Sequence, residues 1–189
     1  MLKPLVSVLV PCYNHESFIE DCLNSIATQT YPNIELIVID DGSSDDSYSV
    51  IQKFATENTE RFRRFIYRTR ANLGLATTLS ELVELADGSL LAPIASDDQM
   101  IPGRIENDVK CLQEEPNAIA VFGTVELIDD QNRVLGQTNA SRKAVKFNQI
   151  QRHRHYLPAP TMTVSANAYR SLFPLPQHLV IEDWYTLLR

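Results

Sequence analysis

Two hydrophobic periods alternate along this chain, and that alternation restricts the fold more than any other feature. Leu5–Val10, Ile34–Ile39 and Leu90–Ala95 are apolar at nearly every position, and Phe62–Tyr67 is aromatic-rich. Between these runs, apolar residues fall at helical spacing: Phe18, Ile19, Cys22, Leu23 and Ile26; Val50, Ile51 and Phe54; the stretch Leu75–Ala86; then Ile105, Val109 and Leu112. A run that is apolar throughout suits a strand covered on both faces, and parallel strands need crossover connections. Four alternations with short connections therefore predict an α/β protein, a three-layer sandwich around a parallel sheet.

Local signals set the expected boundaries. Asn14 is placed to cap a helix starting at His15-Glu16, with Glu16 in its first turn. Asp45-Asp46 should occupy the first turn of the second helix. Asp87-Gly88 should close the third, with Gly88 as the residue after the cap. Pro102 suits the first position of the fourth helix, which Pro116 stops. A fifth strand is expected over Ile119–Val125, and Asp129–Asn132 reads as a hairpin turn before Arg133–Gly136. Past about residue 125 the alternation fails, and the proline-rich stretch 138–180 reads as an attached subregion. One domain accounts for all 189 residues. The run Trp184–Arg189 has helical character and no stop signal, so the sequence reads as an N-terminal catalytic-domain piece of a longer protein.

Hydrophobic content of 44% and charged content of 22% describe an ordinary globular chain. A net charge of -7 argues against general nucleic-acid binding, which needs a basic face. Cys12, Cys22 and Cys111 show no metal-ligand spacing and read as buried thiols of a reduced, cytosolic protein. No apolar run approaches a membrane span, and Met1–Pro4, leading straight into the first strand, reads as a start without a signal peptide.

Three acidic pairs stand at the ends of apolar runs: Asp40-Asp41, Asp97-Asp98 and Glu182-Asp183. Paired carboxylates repel and are costly to bury. In an open α/β sheet, ligands sit beyond the carboxyl ends of the strands. Val10–Asn14, Asp40-Asp41, the stretch holding Arg70, Asn72 and Gly74, and Asp97-Asp98 should therefore converge on one edge. Neither Gly-x-Gly-x-x-Gly nor Gly-x-x-x-x-Gly-Lys-Ser/Thr occurs, which disfavours standard dinucleotide and P-loop binding. Asp40 and Asp41 offer acceptors for a base N–H or ribose hydroxyls. Asp97-Asp98 offers hard oxygens suited to Mg²⁺ or Mn²⁺. Tyr13 could pack or stack on a base.

Each feature also has a plain structural reading. Asp40-Asp41 could cap the next helix, Asp97-Asp98 could be a solvated turn, and Glu182-Asp183 could complement a helix dipole. Asp129-Asp130 reads as a turn, Arg61, Arg63, Arg64 and Arg68 as a solvated face, Cys12 as packing, and His153-Arg154-His155 as a surface loop or acceptor-side contact.

Taken together, Val6–Glu16, Ile37–Ser47, Asn72–Ala76, Asp87–Asp98 and Glu182-Asp183-Trp184 resemble the family 2 inverting glycosyltransferases of the GT-A fold. The resemblance implies a mostly parallel central sheet with a smaller antiparallel substrate-side part. It divides the domain into a nucleotide-binding half, 1–125, and an acceptor-side half, 126–189. It implies that Pro11, Tyr13, Asn14 and Glu16, with Asp40 and Asp41, hold the nucleobase and ribose of a nucleotide-sugar, a UDP-sugar by family frequency. Arg70 and Gly74 would line the nucleotide edge. Asp98 would bind Mg²⁺ or Mn²⁺ on the diphosphate, with Asp97 facing sugar or ribose, and Asp183 would be the general base. Many members carry Asp two positions before Asp97; here Ala95 stands there. The acceptor would be a glycan or lipid-linked, in surface polysaccharide synthesis. The setting would be cytoplasmic, with peripheral association at the inner face of the membrane left open, as is the oligomeric state. A nucleotide-sugar binding module without turnover is the alternative.

Overall fold

The computed structural model describes residues 3–137, 143–146 and 159–175. In chain order the elements are β1 (Val6–Cys12), α1 (Ile19–Ala27), β2 (Ile34–Asp40), α2 (Ser47–Asn58), β3 (Arg64–Thr69), α3 (Leu75–Leu85), β4 (Leu90–Pro93) and α4 (Arg104–Glu114). They continue with β5 (Ala120–Phe122), β6 (Glu126–Ile128), β7 (Val134–Gln137), β8 (Lys143–Val145), β9 (Thr163–Ser165) and α5 (Ala166–Arg170).

The first four strands are parallel, in the spatial order β3-β2-β1-β4. The sheet then continues through β9, β5 and β8, where every pairing is antiparallel. A separate hairpin joins β6 to β7. The mostly parallel sheet with a smaller antiparallel part is thus present. After β3 the chain crosses back over β1 to build β4, so the order reverses between these two strands. That reversal opens a crevice at their carboxyl ends, the standard ligand position in such sheets.

Strand side chains alternate between two cores. Val6, Val8, Val10, Ile34, Leu36 and Val38 meet Ile19, Leu23 and Ile26 of α1, Ile51 and Phe54 of α2, and Ile105 and Val109 of α4. Leu9, Ile37 and Ile39 point the other way, onto Leu79, Leu82 and Val83 of α3 and Tyr169 of α5. The result is a three-layer α/β/α sandwich. Every residue of β2 is buried, which is why its sequence shows no polar alternation. Among the described residues no helix is long and apolar enough to cross a membrane.

Several boundaries differ from the sequence expectation. The first helix begins at Ile19 after a turn over residues 15–18, because Asn14 takes a left-handed φ of 53° and serves the neighbouring loop. The fourth helix begins at Arg104 rather than Pro102, since Gly103 at φ 74° breaks the helical path between them. The third strand is shifted toward the carboxyl end, with Phe62 left outside to pack on Phe54 and Phe65. The fifth strand stops at Phe122, where the Gly123 amide leaves the ladder to donate to Thr161 Oγ1 at 3.0 Å.

Gly88 is not the residue after a helix cap. The helix ends at Leu85, and Gly88 is needed for close approach: a Cβ there would lie 2.5 Å from Ser7 Oγ and 2.7 Å from Ser7 N. Nor are all the arginines a solvated face. Arg61 donates to the carbonyls of Ala27 and Gln29 at 2.7 Å and of Tyr31 at 3.0 Å, satisfying the chain leaving α1. Arg64 pairs with Glu35, which is fully buried in β2. Glu35 also accepts from the Ser7 hydroxyl and from the Asp87 amide at 2.9 Å. The planar guanidinium fork suits these fixed geometries better than a lysine would.

Glu35→Ala should cost about 3 kcal/mol, because it leaves Arg64, Ser7 and the Asp87 amide without their buried acceptor. Gly88→Ala should cost roughly 1–3 kcal/mol through overpacking. Urea midpoints at unchanged slope measure both. A Glu35→Ala loss under about 1 kcal/mol would show the cluster to be idle.

Candidate functional site

The carboxyl ends of β1, β2, β3 and β4 and the loops after them carry the predicted residues that the structure describes, and hydrogen bonds join these loops into one edge. The loop after β1 and the loop after β2 are zipped together by bonds running both ways. The amides of Asn14, His15 and Glu16 donate to Ser43 Oγ (2.9 Å), Ser47 Oγ (2.9 Å) and Asp45 Oδ2 (3.0 Å). In return, Asn14 Oδ1 accepts from the Ser44 amide at 2.8 Å and Glu16 Oε2 from the Asp46 amide at 2.9 Å. Asp45, in the residue pair expected inside α2, lies before it and accepts from the Ser47 amide at 3.0 Å. Those bonds hold the Asp45 carboxyl below its usual range against the opposing effect of desolvation.

Asp40 and Asp41 are both buried, at 1% and 5% exposure, and their carboxylates point to different neighbours. Asp40 accepts from Thr69 Oγ1 at 2.7 Å, from the Ser43 amide at 3.3 Å and from the Ser43 hydroxyl. It ties the end of β2 to the end of β3 and to the following turn. Asp41 accepts from the amides of Leu73 (2.8 Å) and Gly74 (2.9 Å) and pairs with Arg70. Gly42 makes this possible: at φ 74° it passes so close to Asn72 N that a Cβ would sit 2.7 Å away. Arg70 is held between Asp41 and Glu81 Oε2 (3.0 Å) and also donates to Thr78 Oγ1 at 2.8 Å. Gly74 sits at φ 86° with nothing within 4 Å of where a Cβ would stand, so its glycine requirement is conformational.

The third segment is different in kind. The Asp98 amide closes a turn onto Ala95 O at 3.1 Å, but among the described residues no hydrogen bond or ion pair reaches the carboxylate of Asp97 or Asp98. Asp97 is exposed and Asp98 half-buried. Desolvation raises the Asp98 pKa, and the Asp97 charge adds to this while Arg104 opposes it. His15 Nδ1 meets Ser96 Oγ at 2.7 Å, joining this segment to the loop after β1. Tyr13, 48% exposed, leaves its ring open to a ligand. Pro11 is half-buried in β1 opposite Ile39. Cys12 packs beneath the edge, and burial pushes its thiol up to about 11.

Among the described residues no three His, Cys, Asp or Glu side chains group to hold a metal ion. The Asp97-Asp98 pair still fits Mg²⁺, which takes one or two carboxylates plus substrate phosphates rather than an all-protein cage. Asp183, Glu182 and His153-Arg154-His155 lie outside the described residues. Asp129 forms the expected hairpin turn, its carboxylate accepting from the Gln131 amide at 3.0 Å and the Arg133 amide at 2.9 Å. Sequence reasoning missed Ser43, Ser47, Thr69, Thr78 and Glu81 as the partners that orient the acidic residues. The hydroxyl-rich Gly42-Ser43-Ser44 stretch was the available signal, since such side chains bond nearby backbone groups.

Residues 7–172 match the family model described as Glycosyl transferase family 2. The chain is 33% identical over 159 residues to EpsH of Bacillus subtilis, covering 84% of this chain and 43% of EpsH. It is 34% identical over 116 residues to the glycosyltransferase GlyA of Streptococcus pneumoniae, covering 61% of this chain and 16% of GlyA. It therefore spans less than half the length of these relatives. Among solved structures, the mannosyltransferase PcManGT of Pyrobaculum calidifontis, in complex with GDP-Man and Mn²⁺, superposes with a TM-score of 0.73 at 20% identity, over 98% of this chain and 51% of that one. TarS of S. aureus, residues 1–349, superposes with a TM-score of 0.71 at 20% identity, over 97% and 53%. These likenesses show a shared fold.

Asp41→Ala should speed amide exchange at Leu73 and Gly74 by about 10- to 100-fold, as a hydrogen bond to a charged acceptor is worth roughly 1.5–3 kcal/mol. Hydrogen-exchange measurements on these two amides check it. At pH 8, alkylation of the native protein should reach Cys111 and spare Cys12 and Cys22, both buried with raised thiol pKa. Mass spectrometry of the labelled peptides reads the outcome, and fast labelling of Cys12 would contradict it.

Proposed function

The chain belongs to glycosyl transferase family 2, and we propose that it transfers a sugar from a nucleotide-diphospho-sugar, a UDP-sugar, to an acceptor hydroxyl with inversion. The observation carrying this is the contrast along one edge. Asp40 and Asp41 are spent on fixing loops, while among the described residues no partner reaches the carboxylate oxygens of Asp97 and Asp98 at the β1/β4 crevice. Solved proteins of the same fold hold GDP-Man with Mn²⁺, UDP and UDP-GlcNAc, which supports a nucleotide-sugar donor here.

In this reading Tyr13 stacks on the base, and the edge formed by Pro11, Asn14, Glu16, Asp40, Asp41, Arg70 and Gly74 receives the nucleoside. The braced geometry of that edge presents its remaining acceptors without rearrangement, which lowers the ordering cost of binding. Asp98 would hold Mg²⁺ or Mn²⁺, with Asp97 beside it toward the sugar. Such an ion supplies Lewis-acid neutralisation of the leaving diphosphate. Asp183 is proposed as the general base that takes the proton from the acceptor hydroxyl, a role worth about 10²–10⁴-fold. The acceptor is a glycan or a lipid-linked saccharide of surface polysaccharide synthesis, the reaction taking place in the cytoplasm or at the inner membrane face.

Calorimetric titration of UDP with Mn²⁺ should give saturable binding to the wild type and at least about tenfold weaker binding to Asp98→Ala. Equal binding by both proteins, or none by the wild type, overturns the assignment. Asp183→Asn should lower transfer by about 10²–10⁴-fold while leaving UDP affinity unchanged. A matching loss of UDP affinity would place Asp183 in donor binding instead.

A further inference from the structure

A cleft of ≈ 210 Å³, with Asp97 in its lining, opens between the start of α1, the loop after β4 and the β6–β7 turn. We propose that this cleft seats an uncharged sugar unit of the acceptor and rejects units bearing phosphate or carboxylate. The proposal rests on the glycosyl-transfer reading, because Asp97 is what the cleft shares with the edge assigned to the donor.

Three observations support it. First, the cleft is a built feature. Asn132, at φ 60°, donates through Nδ2 to Asp21 Oδ2 at 2.9 Å and accepts through Oδ1 from Gln99 Nε2 at 2.6 Å. One amide thus ties the hairpin to α1 and to the loop after β4. Second, its wall has an apolar platform. Phe18 is 40% exposed and its ring meets His15 edge-on at 5.9 Å, while Ile128 is 37% exposed on the hairpin. Saccharide sites pair such surfaces with a few placed polar groups.

Third, the polar lining is made for hydroxyl donors. Among the described residues, Asp97 and Asp130 carry no hydrogen bond on their carboxylates, and Asp21 has one oxygen left over. Among the described residues none of the three is ion-paired, whereas Asp129 is matched by Arg133 at 2.7 Å. Carboxylates accept from O–H groups and accept strongly. The same three charges, all on exposed residues, lie close enough together to repel an anionic group entering the cleft. An uncharged pyranose donates to these acceptors without opposing charge, whereas a sugar phosphate or uronic acid brings a repelled anion with its hydroxyls.

The test is a titration followed by ¹⁵N-edited NMR. Methyl β-glucoside, methyl β-galactoside or methyl β-N-acetylglucosaminide should shift the side-chain amides of Gln99 and Asn132 saturably. The 6-phosphate of the same glycoside should bind about tenfold more weakly. Phe18→Ala should weaken the neutral glycosides about fivefold, and Asp130→Asn, at an exposed position, should narrow the discrimination against phosphate about threefold. Phosphates binding as tightly as the neutral glycosides would overturn the proposal, as would the absence of any shift at Gln99 and Asn132 up to about 50 mM. The donor reading fails separately, if the wild type does not bind UDP with Mn²⁺; the glycoside titration reads the cleft in either case.

Discussion

Asp41 is a carboxylate at 5% exposure, and the carboxyl edge of the sheet is arranged around keeping it hydrogen-bonded. Burying such a group is tolerable only with several good donors. The donors are two consecutive amides, Leu73 and Gly74, and the guanidinium of Arg70. Recruiting them dictates the local chain path. Gly42 must take a positive φ and pass close to Asn72, Gly74 must take a positive φ before α3 starts, and Arg70 must be gripped from the far side by Glu81. One buried charge therefore fixes the end of β2, the turn after it, the exit from β3 and the start of α3.

The same solution is repeated at lower burial. Asn14, Glu16, Asp45, Ser43 and Ser47 close a ladder between the loops after β1 and β2. A ligand site built on loops is ordinarily mobile, since surface loops carry few fixed contacts. Here side chains stand in for the strand ladder after the strands have ended. The opposite end of the sheet uses one carboxylate, Glu35, to bind Ser7, Arg64 and Asp87. Both ends of β2 are thus set by buried acids, and its apolar middle supplies the two cores.

The layers were legible because burial on both faces writes itself into sequence as continuous apolar runs, and because helix faces repeat at fixed spacing. The convergence of Val10–Asn14, Asp40-Asp41, Arg70–Gly74 and Asp97-Asp98 was legible for a topological reason: strands that are parallel must end on one side. What the sequence did not disclose was how each polar residue spends its hydrogen bonds. Asn14 and Asp46 carry the composition of helix caps, yet tertiary partners claim Asn14, and Asp46 makes no side-chain cap bond. Gly88 looks like a helix terminator, and the reason for it lies in β1, 81 positions away in sequence. Arg61 and Arg64 look like solvated charge, yet Arg61 donates to the chain about thirty residues earlier and Arg64 to Glu35 before it and Leu85 after it. The misses at Asn14, Gly88, Arg61 and Arg64 have the same source: a long-range partner overrode a local preference.

That bookkeeping of hydrogen bonds separates scaffold from reagent among residues of one chemical type. Asp40, Asp41, Asp45 and Glu35 each satisfy two or more donors within the fold. Their oxygens are oriented and largely committed, and their substitution should register as lost order before it registers as lost chemistry. Asp97 and Asp98 share the same edge, adjacent like charges raise the cost of leaving them unpaired, and the fold offers them no partner among the described residues. The fold satisfies the buried acids Asp40 and Asp41 on this edge and leaves the more exposed Asp97 and Asp98 without such donors among the described residues. Arg104 is close enough to lower the Asp98 pKa, yet its guanidinium donates to Met162 O at 2.9 Å and approaches Asp108 at 3.5 Å instead. Among the described residues Arg104 alone offsets the repulsion between Asp97 and Asp98, without pairing with either carboxylate, and the pair sits at the β1/β4 crevice where the topology already directs a ligand.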